Sequence, residues 1–94
     1  MRLSQEEKNV IINSVKQIDP LARVYLFGSR VDDTKKGGDV DILIFSSLID
    51  RYAKRRIRRD FYEKFGEQRM DIVINTGDPE DPFIKKIIKE CVEI

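Results

Sequence analysis

Asp39 and Asp41 stand one residue apart at the start of the run Val40-Asp41-Ile42-Leu43-Ile44, and Asp71 interrupts a second apolar run, Met70 to Ile74. Side chains alternate faces along a strand, so Asp39 and Asp41 project together, their Cα atoms about 6.6 Å apart at roughly 3.3 Å per residue. Two carboxylates at that spacing can converge on divalent cations, which in two-metal sites lie about 3.5–4 Å apart. Oxygen-only ligands favour magnesium or manganese over zinc. An isolated Asp-x-Asp is ordinarily a solvated loop or an exposed strand face. Here the two like charges repel on an otherwise apolar strand, and the nearby cations are Arg30, Lys35 and Lys36.

A second group of residues precedes them. Val24, Tyr25, Leu26 and Phe27 suit a buried strand, and Gly28-Ser29 gives that strand a sharp corner. A backbone without Cβ at Gly28 permits close approach, and the hydroxyl and N–H of Ser29 at the start of a helical turn suit an anion such as phosphate. Arg30 beside the corner is a candidate for phosphate or for a neighbouring aspartate. Lys35 and Lys36 could reach a triphosphate, although two solvated loop lysines are the plainer reading.

Gly28-Ser29, nine intervening residues, then Asp39-x-Asp41 inside a strand resembles the signature of the DNA polymerase β-like nucleotidyltransferase superfamily. Within it the chain is most similar to the minimal nucleotidyltransferases, often the antitoxin half of a pair with a HEPN-domain toxin. The resemblance covers Val24 to Phe45, with one departure at Gly38, where relatives often carry Ser. It implies a third carboxylate on the next strand, for which Asp71 is the match. The alternative for Asp71 is an edge-strand charge that discourages aggregation.

Length and composition bound the possibilities. The chain has 94 residues, which leads us to expect one domain spanning 1–94 with little room for a second binding lobe. Lys and Arg number 18 against 17 Asp and Glu, so net charge alone makes no case for nucleic acid or a membrane surface. The absence of histidine excludes a Ser-His-Asp or Cys-His relay and a His-ligated zinc site. A single cysteine, Cys91, and no leader or membrane-spanning run lead us to expect a cytoplasmic protein.

The remaining elements position these side chains. Ser4 and Glu7 form a capping box ahead of Ile11, Val15 and Ile18, predicting a helix to Ile18 that Asp19-Pro20 ends. Strands are expected at Arg23 to Phe27, Asp39 to Ile44 and Arg69 to Ile74, with a helical turn from Ser29 to Asp33 after the first. Ser46-Ser47 is the expected cap of a long amphipathic helix to Phe65, with Ile49, Ala53, Ile57, Phe61 and Phe65 on its apolar side. Lys54, Arg55, Arg56, Arg58 and Arg59 form a basic strip, either a solvated face or a contact for nucleic acid or an acidic partner. Asp81-Pro82 opens a last helix whose apolar side includes Ile84, Ile87, Ile88 and Cys91. The order predicts an α/β (α+β) domain, a small mixed sheet flanked by helices; the resemblance implies the nucleotidyltransferase, polymerase β palm-like fold.

The expected function is metal-dependent transfer of a nucleoside monophosphate from a triphosphate to a hydroxyl. Asp39, Asp41 and Asp71 would be catalytic and metal-binding, with Gly28, Ser29 and Arg30 at the phosphates. The resemblance suggests ATP as donor and a HEPN-type toxin as acceptor and partner. A non-catalytic antitoxin that occludes its partner is the alternative. Tyr52, Phe61 and Tyr62 beside the basic strip suggest an interface, with self-association also open and nucleic acid less favoured.

Overall fold

Each helix begins where the sequence offers its backbone a cap. In the computed structural model, which describes residues 2–32, 38–78 and 80–94, α1 runs Gln5–Ile18. The capping box closes reciprocally: Glu7 N–H donates to Ser4 Oγ at 3.1 Å, and Ser4 N–H donates to Glu7 Oε1 at 3.0 Å. Asp19, in extended conformation ahead of Pro20, ends the helix. There follow β1 (Arg23–Phe27), a tight helical turn (Gly28–Val31), β2 (Val40–Phe45), α2 (Arg51–Phe65), β3 (Met70–Asn75), α3 (Pro82–Ile87) and β4 (Val92–Glu93).

The sheet order is β3-β2-β1-β4. β1 pairs antiparallel with β2 and β4, whereas β2 and β3 run parallel because the α2 crossover carries the chain back to the same end. Period-two alternation sorts the side chains between faces. Val24, Leu26, Val40, Ile42, Ile44, Met70 and Ile72 share one buried cluster with Ile11 and Val15 of α1 and Ile57 and Phe61 of α2. Burial of each such large side chain contributes about 1.5–3 kcal/mol. Tyr25, Phe27, Asp41, Phe45, Asp71 and Val73 occupy the alternate positions and are only partly buried or exposed. α3 covers part of that second face: Ile84 is buried, and Phe83 meets Phe27 edge-on at 6.0 Å. The result is a small mixed α/β sandwich, as the order of elements predicted.

Two α-helix boundaries differ from expectation. The cap of α2 is Asp50, which accepts from Ala53 N–H at 2.9 Å. Ser46 does other work: its buried hydroxyl donates to Asp19 Oδ2 at 2.6 Å and accepts from the N–H groups of Leu48 and Ile49, tying the loop after β2 to the end of α1. The last helix stops at Ile87 because the chain turns at Lys89–Glu90 to add β4, a strand too short for periodicity to reveal. Arg23 clamps β4 through a paired hydrogen bond to Glu93 at 3.0 and 3.1 Å. The contact holds the Glu93 carboxyl below its usual range.

Candidate active site

Phe27, the last residue of β1, pairs with Asp41, so the backbone of Gly28 arrives directly against the Asp41 side chain. Gly28 has φ of +77°, a conformation only glycine adopts without strain, and a Cβ there would fall on Asp41 Oδ2. The space opened by the missing side chain is thus filled by a carboxylate, where a ligand was expected. The turn that follows is closed by Asp32 N–H donating to Ser29 O at 3.3 Å, and Arg2 Nη2 donates to the same carbonyl at 3.2 Å. Gly28, Val31 and Asp32 face Glu90 across a cleft of about 240 Å³.

The parallel pairing of β2 and β3 sets Asp41 opposite Asp71. Asp39 lies just ahead of β2 and faces the same way as Asp41, as the alternation predicted. All three aspartates therefore gather at one end of the sheet, on the face that the two long helices leave open. Asp41 is the most enclosed. Burial first, then the charge of Asp71 and a hydrogen bond with it, then the charge of Asp39, push its carboxyl above the usual aspartate range, while Arg69 opposes them. Asp39 and Asp71 are about half exposed, with 47% and 52% of their side-chain surface accessible.

Arg69 is the member of this cluster that the sequence reading passed over. Its Nε lies 3.6 Å from Asp39 Oδ2 and 3.9 Å from Asp71 Oδ2, between the two. The signal was available, since residue 69 is two positions before Asp71 and strand alternation puts both on one face. Among the described residues no three acidic, cysteine or histidine side chains are gathered closely enough to hold a metal ion as they stand. Asp39, Asp41 and Asp71 are the ones that could, since their donors are all oxygen and a divalent cation would relieve the repulsion at Asp41.

Arg30, expected at the phosphates, is only 14% exposed and is occupied by protein acceptors. Nη1 donates to Arg2 O at 3.1 Å and reaches Glu7 at 3.5 Å, while Nη2 donates to Gly38 O at 3.0 Å and Gln68 Oε1 at 3.4 Å. It ties the turn to the start of α1 and to the residue before Asp39. Lys35, Lys36 and the expected end of the turn at Asp33 lie outside the described residues.

On α2, Phe61 is fully buried and Tyr52 is 66% exposed beneath the Arg51 guanidinium, 5.3 Å from its ring centre. Arg55, Arg58, Arg59 and Tyr62 line an open groove together with Glu63 and Glu67. Arg58 Nε also donates to Met70 O at 3.1 Å, joining this groove to the start of β3. Among the described residues no helix is long and apolar enough to cross a membrane.

A small mixed sheet that sets a glycine-serine turn against aspartates on two parallel strands defines a protein built for nucleotide transfer. The nucleotidyltransferase domain family matches residues 8–94, and the chain belongs to that family, within the polymerase β-like nucleotidyltransferase superfamily. No curated protein gives a significant match to the chain.

Proposed function

We propose that this protein transfers a nucleoside monophosphate, AMP from ATP, to a hydroxyl on a partner protein, releasing pyrophosphate. The observation that carries the reading is the register of Asp41 with Asp71 beside Gly28, on an open sheet face of a chain from this family. A magnesium or manganese ion bound by Asp39, Asp41 and Asp71 would neutralise charge developing on the phosphates and on the leaving pyrophosphate. The backbone of Gly28 and Ser29, with the Ser29 hydroxyl, would seat the terminal phosphates. Asp71 on the outer strand of the sheet would receive the proton of the acceptor hydroxyl. Arg30 acts at one remove by fixing Gly38 and hence the approach to Asp39.

The acceptor and the setting follow from the resemblance to minimal nucleotidyltransferases: a HEPN-type toxin modified by its antitoxin in the cytoplasm. A non-catalytic antitoxin that occludes the same partner is the second reading. It is favoured by the ion pairs of Arg69, which occupy two of the three carboxylates. Incubation with labelled ATP, magnesium and a HEPN-type protein encoded beside this one separates the two. Transfer predicts label on the partner and released pyrophosphate, both lost in Asp39→Asn and Asp41→Asn. Occlusion predicts a stable complex with no label.

A further inference from the structure

We propose that Arg69 is a displaceable internal counter-ion, which lies between Asp39 and Asp71 and makes divalent-cation binding depend on the nucleotide. This inference rests on the reading of the three aspartates as the metal ligands.

Two parallel strands build the arrangement. Val40 pairs with Met70, and Val40 N–H donates to Arg69 O at 3.0 Å, so residue 69 stands beside residue 39 just as 71 stands beside 41. The four side chains form the corners of one patch, three anionic and one cationic. At 3.6 and 3.9 Å the guanidinium contacts are longer than hydrogen bonds, and 73% of the Arg69 side chain is accessible. The arginine is therefore attracted to the patch without being locked into it.

A cation entering between Asp39 and Asp71 has to take the place of the guanidinium. A free ion meets that competition in full. An ion arriving with a triphosphate does not, because the phosphates give the released guanidinium new oxygens in the paired geometry that arginine favours. Metal and nucleotide then bind with positive coupling, and the coupling resides in Arg69.

The test is manganese binding followed by electron paramagnetic resonance, with and without a non-hydrolysable ATP analogue. Wild-type protein is compared with Arg69→Gln, Arg69→Lys, Asp41→Asn and, as a control for net charge, Arg51→Gln. An exposed ion pair is worth up to roughly fivefold in affinity. Arg69→Gln should therefore bind manganese alone about fivefold tighter, Arg69→Lys should fall between it and wild type, and Arg51→Gln should match wild type. The gain in manganese affinity on adding the analogue should shrink in Arg69→Gln. If wild-type binding is too weak to measure, its appearance in Arg69→Gln supports the proposal and its absence from both overturns it. Unchanged or weaker manganese binding by Arg69→Gln, or an equal gain in Arg51→Gln, also overturns it. Manganese binding that survives Asp41→Asn rejects the aspartate site itself. Binding lost in Asp41→Asn but unaltered in Arg69→Gln rejects only the role of Arg69.

Discussion

Replacing Gly28 with alanine tests the junction between the turn and the carboxylates more directly than any change to the aspartates. Two costs arise at once. The backbone sits at φ of +77°, where an L side chain costs about 1–2 kcal/mol. The new Cβ also falls on Asp41 Oδ2, and forcing an extra carbon into an occupied position typically costs about 1–3 kcal/mol. A loss of about 3 kcal/mol is expected, which at 4–8 °C per kcal/mol for a domain of this size lowers the melting temperature by roughly 12–24 °C. Urea unfolding of Gly28→Ala, Asp41→Ala and the double variant separates the terms. Removing the Asp41 carboxylate relieves the collision but not the backbone strain, so the two substitutions should couple by about 1–2 kcal/mol. A Gly28→Ala protein as stable as wild type refutes the strained turn. Additive effects refute the contact with Asp41.

Asp41→Asn should stabilise the protein near neutral pH in metal-free buffer. The folded-state value of Asp41 is raised, so its contribution to stability is fully present only below the ordinary aspartate range and is lost as the pH rises through the raised value. The gap in urea midpoint between variant and wild type should close on acidification, and a gap independent of pH would contradict this. Ser46→Ala leaves the buried Asp19 carboxylate without one of its donors and should cost about 1–3 kcal/mol by urea unfolding. Restoration of stability in Ser46→Ala by Asp19→Ala would confirm that the cost lies in the orphaned acceptor. Phe61→Ala, at a fully buried position between helix and sheet, should cost about 3–5 kcal/mol in the same assay.

What could be read from the chain followed from local rules. A capping box and a proline bounded the first helix, and charges set in apolar runs revealed which strand positions face away from the core. That reasoning put Asp39 and Asp41 on one side of their strand and marked Asp71 as a charge out of place in mid-strand, while its match to a third carboxylate came from the family resemblance. It failed where a residue's partner is remote in sequence. Ser46 has the composition of a helix cap, yet Asp19, 27 positions earlier, claims its hydroxyl. Arg30 looked like a phosphate contact because its neighbour is the turn; its acceptors come from Arg2, Gly38 and Gln68. β4 consists of two residues whose pairing is decided by Arg23 and by the edge of β1. Which aspartates meet is likewise set by the register between parallel strands, and periodicity within one strand carries no information about it.

The two halves of the carboxylate cluster are assembled by contacts of different range. Gly28 meets Asp41 through an antiparallel neighbour close in sequence, whereas Asp71 reaches Asp41 only after the chain has crossed the whole of α2. Closing the longer loop carries the greater entropic cost and is the slower event. On the ribosome, the segment carrying the turn and the first two aspartates emerges well before β3 does. A nascent chain thus presents half of the carboxylate cluster, with neither Asp71 nor Arg69 in place, and the cluster is complete only once β3 has paired with β2. If the three aspartates bind a cation as proposed, its capture reports the pairing of β2 with β3, which a pulse of refolding protein should reveal as a lag between formation of the helices and acquisition of cation binding.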